Sequence, residues 1–375
     1  TKHMICTGED VPDYMDEADT YYHGSGHSKT KPMRDFHNRA VKKILITKVS
    51  KPNNTLMDLA VGKGGDIPKW IQADLSFVFG MDISRDNIEN RRDGVCARYL
   101  NSKMRNRNMF DALFVQGDSV KNMKSGESFH TDKGKEIAKA IFGSGPKDEM
   151  KLGKLPYKYY GIGKNGFDIV STQFAIHYFF ESKKKLNTYL QNVSNCCKMG
   201  GYFIGTCYDG KAMFEELKDI NKGESISALK EEKKIWEIKK QYDMDEFKDD
   251  DTCIGLGIDV YQETINSYWR EYLVNYNYLT QLLSAYGFIP AKDIEGLGNS
   301  VGRFRTMYEY MDRNMDDRNL GQAKKMSANE KRISFLNGYF IYKKVGERIE
   351  PKKEENKSPV RKIKRKKKKK VKKLS

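Results

Sequence analysis

Residues 55–70, TLMDLAVGKGGDIPKW, constrain the fold more than any other stretch: an apolar run, three glycines within four positions, then a helix-forming segment with Pro68 in its first turn. A buried strand that passes through a glycine turn into a helix is the repeating unit of a parallel α/β sheet, and the chain repeats it. FVFGMDIS (77–84) reads as a second strand ending on Asp82, a basic helix runs to about Leu100, and ALFVQGDS (112–119) is a third strand. FDIVSTQF (167–174) and GYFIGTCY (201–208) are strands four and five, separated by a helix through Leu186 to Cys197. Such alternation requires a mostly parallel sheet with helices on both faces. An amphipathic helix from Asp35 to Val49 precedes the first strand, with Phe36, Val41, Ile44, Leu45 and Val49 at helical spacing. Late in the chain, SYWREYLVNYNYLTQLLSAYGF reads as a strand or turn and then a helix, and FLNGYFIY (335–342) as a final strand expected at an antiparallel edge. There is no internal repeat.

Around this pattern we expect a mobile N-terminal arm over 1–30, an α/β domain over 31–345 and a disordered basic tail over 346–375. Residues 120–165, rich in Lys and Gly, and 218–266, densely charged, interrupt the alternation and read as surface insertions. With 38% hydrophobic and 11% aromatic residues, the chain can fill a core of that size. No apolar run is long enough for a membrane span, and the N-terminus lacks a signal-peptide pattern. Six cysteines without a C-x-x-C pair point to reduced thiols of an intracellular protein and to no structural zinc. The net charge of +17 is mostly a tail: residues 351–375 hold 14 Lys or Arg against 2 Glu, a net of +12. Such a block grips polyanions through counterion release; a solubilising tail or a nuclear address are the alternatives. A first residue of Thr1 suggests a piece of a longer polypeptide.

Glycines after a first strand let a ligand lie against bare backbone at the sheet's carboxyl edge. A dinucleotide fingerprint would place glycine at 67, where this chain has Ile67, which disfavours a nicotinamide oxidoreductase, and the G-x-x-x-x-G-K-[ST] phosphate loop is absent. Asp58, just before the loop, suits a ligand with ammonium or sulfonium charge. Asp82, 20 residues beyond Gly62, stands where a carboxylate accepts ribose hydroxyls, and Asp118 where one accepts from an adenine amino group. Together they describe a pocket for S-adenosylmethionine. In the rival reading each Asp merely caps the helix that follows.

LMDLAVGKGGDIPKW resembles the hallmark of messenger-RNA cap guanine-N7 methyltransferases. QFAIHYFFES (173–182), GGYFIGT (200–206) and HNRAVKKILI (37–46) are similar to further motifs of that family, in the right order. The Lys/Asn-rich insertions are more like capping enzymes of large DNA viruses. The resemblance implies a class I, Rossmann-like S-adenosylmethionine-dependent methyltransferase that acts on the capped 5′ end of mRNA and releases S-adenosylhomocysteine. It implies cofactor contacts at Lys42, Asp58, Ala60, Gly62, Asp82, Asp118, Gln173 and Tyr178, with Ala60 standing where the family has glycine. It implies cap contacts at Asn38, Lys63, Lys69, His177 and Glu271, and at Asn337, where the family has a tyrosine; Tyr339 lies two residues on. Viral capping systems also imply triphosphatase and guanylyltransferase domains in a longer chain, working in the virion or host cytoplasm, or in the nucleus for a cellular enzyme.

Guanine N7 carries a lone pair and no proton, so the implied reaction needs no catalytic acid or base and no metal. In-line attack would be accelerated by proximity and electrostatic matching. Two rivals stand beside this reading: a methyltransferase of ribosomal or transfer RNA, and a non-catalytic RNA-binding subunit with the same fold.

Overall fold

The computed structural model describes residues 28–348 except 293, 295, 296 and 298. The expected arm over 1–27 and tail from 349 onward lie outside the described residues. Residues 28–30 do not belong to the arm: Ser28 Oγ and the Lys29 amide both donate to Glu263, and Thr30 is buried.

The main sheet has eight strands. In chain order they are β1 (Thr55–Asp58), β2 (Phe77–Asp82), β3 (Asp111–Gln116), β4 (Phe167–Gln173) and β5 (Cys197–Tyr208), then β10 (Phe288–Pro290), β11 (Val301–Arg303) and β12 (Asn337–Lys344). Laterally they run β10-β12-β5-β4-β1-β2-β3, with β11 also pairing β12. The first five are parallel; β12 alone is reversed, antiparallel to both β5 and β10. The late strand is therefore antiparallel, as its position suggested, and sits one place in from the edge, because β10 adds beyond it. All six residues of β2 are buried, as a strand covered on both faces requires. Alternate residues feed two cores: Leu56, Val78, Phe114 and Ile169 on one face, Met57, Phe79, Val115 and Val170 on the other.

Both insertions are more than surface excursions. Residues 120–165 form the crossover from β3 to β4; the helix Asp132–Ile141 buries Ile137, Ala138 and Ile141, and Tyr159 stacks on Phe77 at 4.3 Å. The second insertion builds a separate antiparallel sheet from β6 (Ser225–Lys230), β7 (Lys233–Lys240), β8 (Gly257–Gln262) and β9 (Ser267–Tyr272), in that order. Its charge conceals a period of two: Trp236 and Ile238 on β7, and Ile258 and Val260 on β8, face inward while Lys239, Asp259 and Tyr261 alternate with them. Trp236 is fully buried, so truncating it would cost on the order of 3–5 kcal/mol and loosen the sheet that carries Glu271.

The amphipathic helix is longer than expected and interrupted. Lys31–Asp35 and Lys42–Val49 are α-helical, and Phe36–Val41 between them is a π segment in which the Lys42 amide reaches back to His37 O. Cys196, Cys197, Cys207 and Cys253 are free and buried, whereas Cys96 is disulfide-bonded, a departure from the reduced thiols expected throughout. No helix among the described residues is long and apolar enough to cross a membrane.

Candidate active site

The carboxyl ends of β1, β2 and β4 open onto one edge of the sheet, and the glycine loop starts there. Leu59 N donates to Ser171 O and Val61 N to Met81 O, so the loop is pinned to both neighbouring strands. Gly62 and Gly64 take φ of +53° and +71°. A methyl on Gly64 would meet Val95 Cγ2 at 2.7 Å, whereas one on Gly62 would meet nothing within 4 Å. Gly64 is therefore glycine for packing, and Gly62 keeps its backbone open to a ligand.

Asp82, buried at the end of β2, is held by three donors: Gly62 N at 2.8 Å, Ser84 N at 3.0 Å and Asn87 Nδ2 at 3.0 Å. Asp58 is 2% exposed and accepts only from Ala60 N, at 3.1 Å. Burial and the neighbouring Asp66 charge push its carboxyl up to about 8; burial raises Asp82 as well. Asp118 accepts from Val120 N at 3.0 Å. None of the three is the N-cap of a helix: Ser84 caps Arg85–Glu89, and Asp66 occupies the cap position of Ile67–Gln72. The helix-capping explanation of these aspartates therefore fails, and Asp58 and Asp82 share burial that raises both carboxyls.

Asp66, which the sequence did not single out, organises the cations. Its carboxylate lies 3.3 Å from Lys42 Nζ and 2.8 Å from Lys69 Nζ, and it is held below the usual carboxylate range by those charges despite burial. Lys69 also donates to Gly65 O at 2.9 Å. Lys63 turns inward to Asp86 at 2.8 Å and Asp93 at 3.0 Å, so it does not stand free in the loop as a phosphate ligand. Gln173 is fixed across β4 and β5, accepting from Thr206 Oγ1 at 3.1 Å and donating to Ser171 Oγ at 3.2 Å.

A second group of candidate residues meets at the 3-10 turn Ile176–Glu181 that follows β4. His177 Nε2 stands 3.7 Å from Glu271 Oε2, which β9 delivers from the insertion sheet. Both side chains are over nine-tenths buried, and Glu271 Oε2 and both ring nitrogens of His177 have no hydrogen-bond partner among the described residues. Burial pushes Glu271 up to about 8 and His177 down to about 3, so near neutral pH the pair is an uncharged acid beside an uncharged imidazole. The Tyr178 ring packs edge-on to His177 at 4.2 Å.

The other cap-side candidates are occupied. Asn38 Nδ2 donates to Arg34 O at 3.0 Å. Asn337 Nδ2 donates to Ile333 O and Ser334 O, both at 3.2 Å, closing the C-terminus of the helix Ala328–Phe335. The Tyr339 hydroxyl is spent on Asn299 O at 2.9 Å. Two residues escaped sequence reasoning. Ile83 is 62% exposed directly after Asp82, an exposure that the sequence alone does not announce. Phe174 holds φ +55°, strained for a bulky residue, stacks on His37 at 5.3 Å and lies 5.6 Å from Lys42 Nζ; no sequence pattern announces that conformation.

Known proteins are similar to this chain in sequence. The chain is 29% identical over 279 residues to a probable mRNA-capping enzyme of Acanthamoeba polyphaga mimivirus, covering 72% of this chain and 22% of that one. It is 30% identical over 190 residues to the mRNA cap guanine-N(7) methyltransferases of Eremothecium gossypii and Saccharomyces cerevisiae, covering 51% of this chain and 36% and 35% of theirs. The chain thus spans between a fifth and two fifths of the length of these relatives. Residues 11–345 match the family described as the mRNA (guanine-N(7))-methyltransferase domain, and the chain belongs to that family.

Proposed function

We propose that this chain transfers a methyl group from S-adenosylmethionine to N7 of the guanine cap of mRNA, converting GpppN to m7GpppN. The observation that carries the reading is the buried pair His177 and Glu271, of which Glu271 Oε2 and both ring nitrogens have no hydrogen-bond partner among the described residues. Buried polar groups are ordinarily satisfied, so a ligand that satisfies these is expected.

The acidic pocket fits S-adenosylmethionine on its own terms. Two buried carboxyls, Asp58 and Asp82, are both raised in pKa, which a cationic ligand would reverse, and the open backbone at Gly62 leaves room for it. Asp82 would hold the ribose hydroxyls and Asp118 the adenine amino group, with Ile83 against the adenine ring. Asp58, Gln173 and Tyr178 would lie toward the methionine end. Bound there, the cofactor supplies an electrophilic methyl group on a sulfonium.

Glu271, protonated in the free protein near neutral pH, would accept the guanine N1 and N2 protons once ionised, and neutral His177 would offer one N–H to O6. Adenine, with its donor and acceptor reversed on that edge, would leave both groups unpaired, at a cost of about 1–3 kcal/mol for each buried group. N7 lies on the opposite edge of the base and already has its lone pair. These residues therefore need only fix the base in line and exclude water, with no proton to move. Lys42 would lie toward the cofactor and Lys69 toward the triphosphate, the two held apart by their shared partner Asp66.

The other steps of cap synthesis, triphosphatase and guanylyltransferase, would reside in further segments of a longer polypeptide, acting where capped transcripts are made in the infected or host cell. The test is transfer of labelled methyl to GpppA, with ApppA and uncapped RNA as controls. Label at guanine N7 in GpppA alone is expected; S-adenosylmethionine binding without transfer to GpppA would reject the cap as substrate.

A further inference from the structure

Away from both pockets, a groove runs between the loop that follows β3 and the helix Lys183–Cys196. Its lining includes Val120, two residues beyond Asp118 in sequence, and Ser182, directly after the turn that carries His177 and Tyr178. Its floor is fixed: Asn192 Nδ2 donates to Ser119 O at 2.9 Å and to Lys121 O at 2.6 Å, locking loop to helix. Five cations line it, Lys121, Lys135, Lys184, Lys185 and Arg348, against one carboxylate, Glu127. Lys185 and Lys135 are paired with Glu181 and Asp132, but Lys121 and Lys184 are exposed and have no carboxylate partner among the described residues. The guanidinium of Arg348 lies 5.0 Å from the centre of the Tyr286 ring, and three residues after it in sequence begins the 25-residue stretch with net charge +12.

We propose that this groove holds the phosphate backbone of single-stranded RNA beyond the cap, so that the substrate is bound at two places, its guanine at His177 and Glu271 and its chain at Lys121 and Lys184. The proposal rests on the cap reading for the identity of the RNA. An acidic protein would match the charge equally, but of the apolar lining residues Phe129 and Tyr286 are buried and Val120 is only partly exposed, so the groove offers a protein little apolar anchor beside the amide and hydroxyl side chains of Asn122, Asn187 and Gln191. A backbone of evenly spaced phosphates needs only cations and hydrogen-bond donors, which the groove supplies.

The experiment compares the full chain with its Lys121→Glu/Lys184→Glu variant, and with Lys222→Glu/Lys233→Glu, which changes the net charge equally at exposed sites off the groove. The KM for a capped RNA of about 25 nucleotides should rise roughly 10- to 30-fold in the groove variant, and its salt slope should fall by ~1.4 for two lost phosphate contacts. The KM for GpppA should not move, and the control variant should show only a small, substrate-independent change. Equal RNA dependence in groove and control variants overturns the groove, including the case in which it serves an acidic protein. Should the unmodified chain not methylate GpppA at all, the cap reading falls separately. The groove is then judged by equilibrium binding of the same RNA, where unchanged affinity in the groove variant rejects it.

Discussion

The two pockets are built in opposite ways. Around the glycine loop the carboxylates are held by several donors each, Asp82 by Gly62, Ser84 and Asn87, and Asp66 by Lys42 and Lys69, while Asn87 Oδ1 and Trp70 Nε1 beside them are buried without hydrogen-bond partners among the described residues. At His177 and Glu271 the side chains come from two elements distant in the chain, a turn after β4 and the outer strand of the insertion sheet, and Glu271 Oε2 and both ring nitrogens are buried without hydrogen-bond partners among the described residues. The first pocket is a preformed cradle whose residues also hold the fold together. The second contributes little to the fold and keeps its hydrogen-bonding capacity for a ligand. Residues of the first pocket should therefore matter to stability as well as binding, and residues of the second to binding alone.

The largest effect should follow from Glu271→Gln. It presents an amide to guanine donors that require a carboxylate, and loss of two charge-assisted hydrogen bonds should lower kcat/KM for GpppA by about 100-fold or more. Cofactor affinity by calorimetry should stay within about twofold, and the melting temperature should hold or rise, since a buried carboxyl without a partner is removed. A drop in stability comparable to that of a core substitution would break the contrast. Asp82→Ala is its counterpart: cofactor affinity should weaken ~30-fold, and stability should fall by about 1–3 kcal/mol because three donors lose their acceptor. If this variant binds cofactor normally, Asp82 is only a structural brace.

How much of this was legible in the sequence divides along the same line. Asp58 and Asp82 could be placed from strand ends because each terminates its strand, and Gly62 and Asp118 lie in the loops that follow β1 and β3. His177 and Glu271 were reachable only through family resemblance: nothing local in HYFF or WREY says that the two will meet. The insertion that delivers Glu271 was misjudged because its high charge masked the alternation of Trp236, Ile238, Ile258 and Val260. Asn337 aligned with a family tyrosine but spends its amide on the helix before it, and Lys63, apparently free in the loop, is captured by Asp86 and Asp93. Each miss is a tertiary contact overriding a local expectation.

The pH dependence separates the pockets further. Burial raises Glu271 to about 8, so below that pH the acid is protonated and cannot accept both guanine protons. Affinity for a cap dinucleotide should therefore gain about tenfold per unit as pH rises toward 8 and then level, and Glu271→Gln should flatten the slope. Asp58, also raised to about 8, should impose a similar rise on cofactor binding that Asp58→Asn removes while Glu271→Gln does not. For stability the sign is opposite. Between the unfolded carboxyl values and about 8 the native state holds more protons than the unfolded chain, so the free protein loses stability as pH rises through that window. A cap slope that survives Glu271→Gln would place the titrating group elsewhere.

The smallest effect should come from Ala60→Gly. Ala60 occupies the position at which the family carries glycine, yet it is only half-buried, and its φ lies outside the left-handed region. Its amide already serves Asp58, and a methyl at ordinary φ leaves that donor in place. Glycine here should alter cofactor affinity by less than about twofold and cost about 0.4–1 kcal/mol of stability through the freer unfolded chain. Gly64→Ala in the same loop should instead be severe, since its methyl meets Val95 at 2.7 Å at a φ of +71°. If Ala60→Gly tightened cofactor binding tenfold, the methyl would be intruding on the ligand's path. The cradle would then be shaped less completely in advance than the satisfied hydrogen bonds around Asp82 imply.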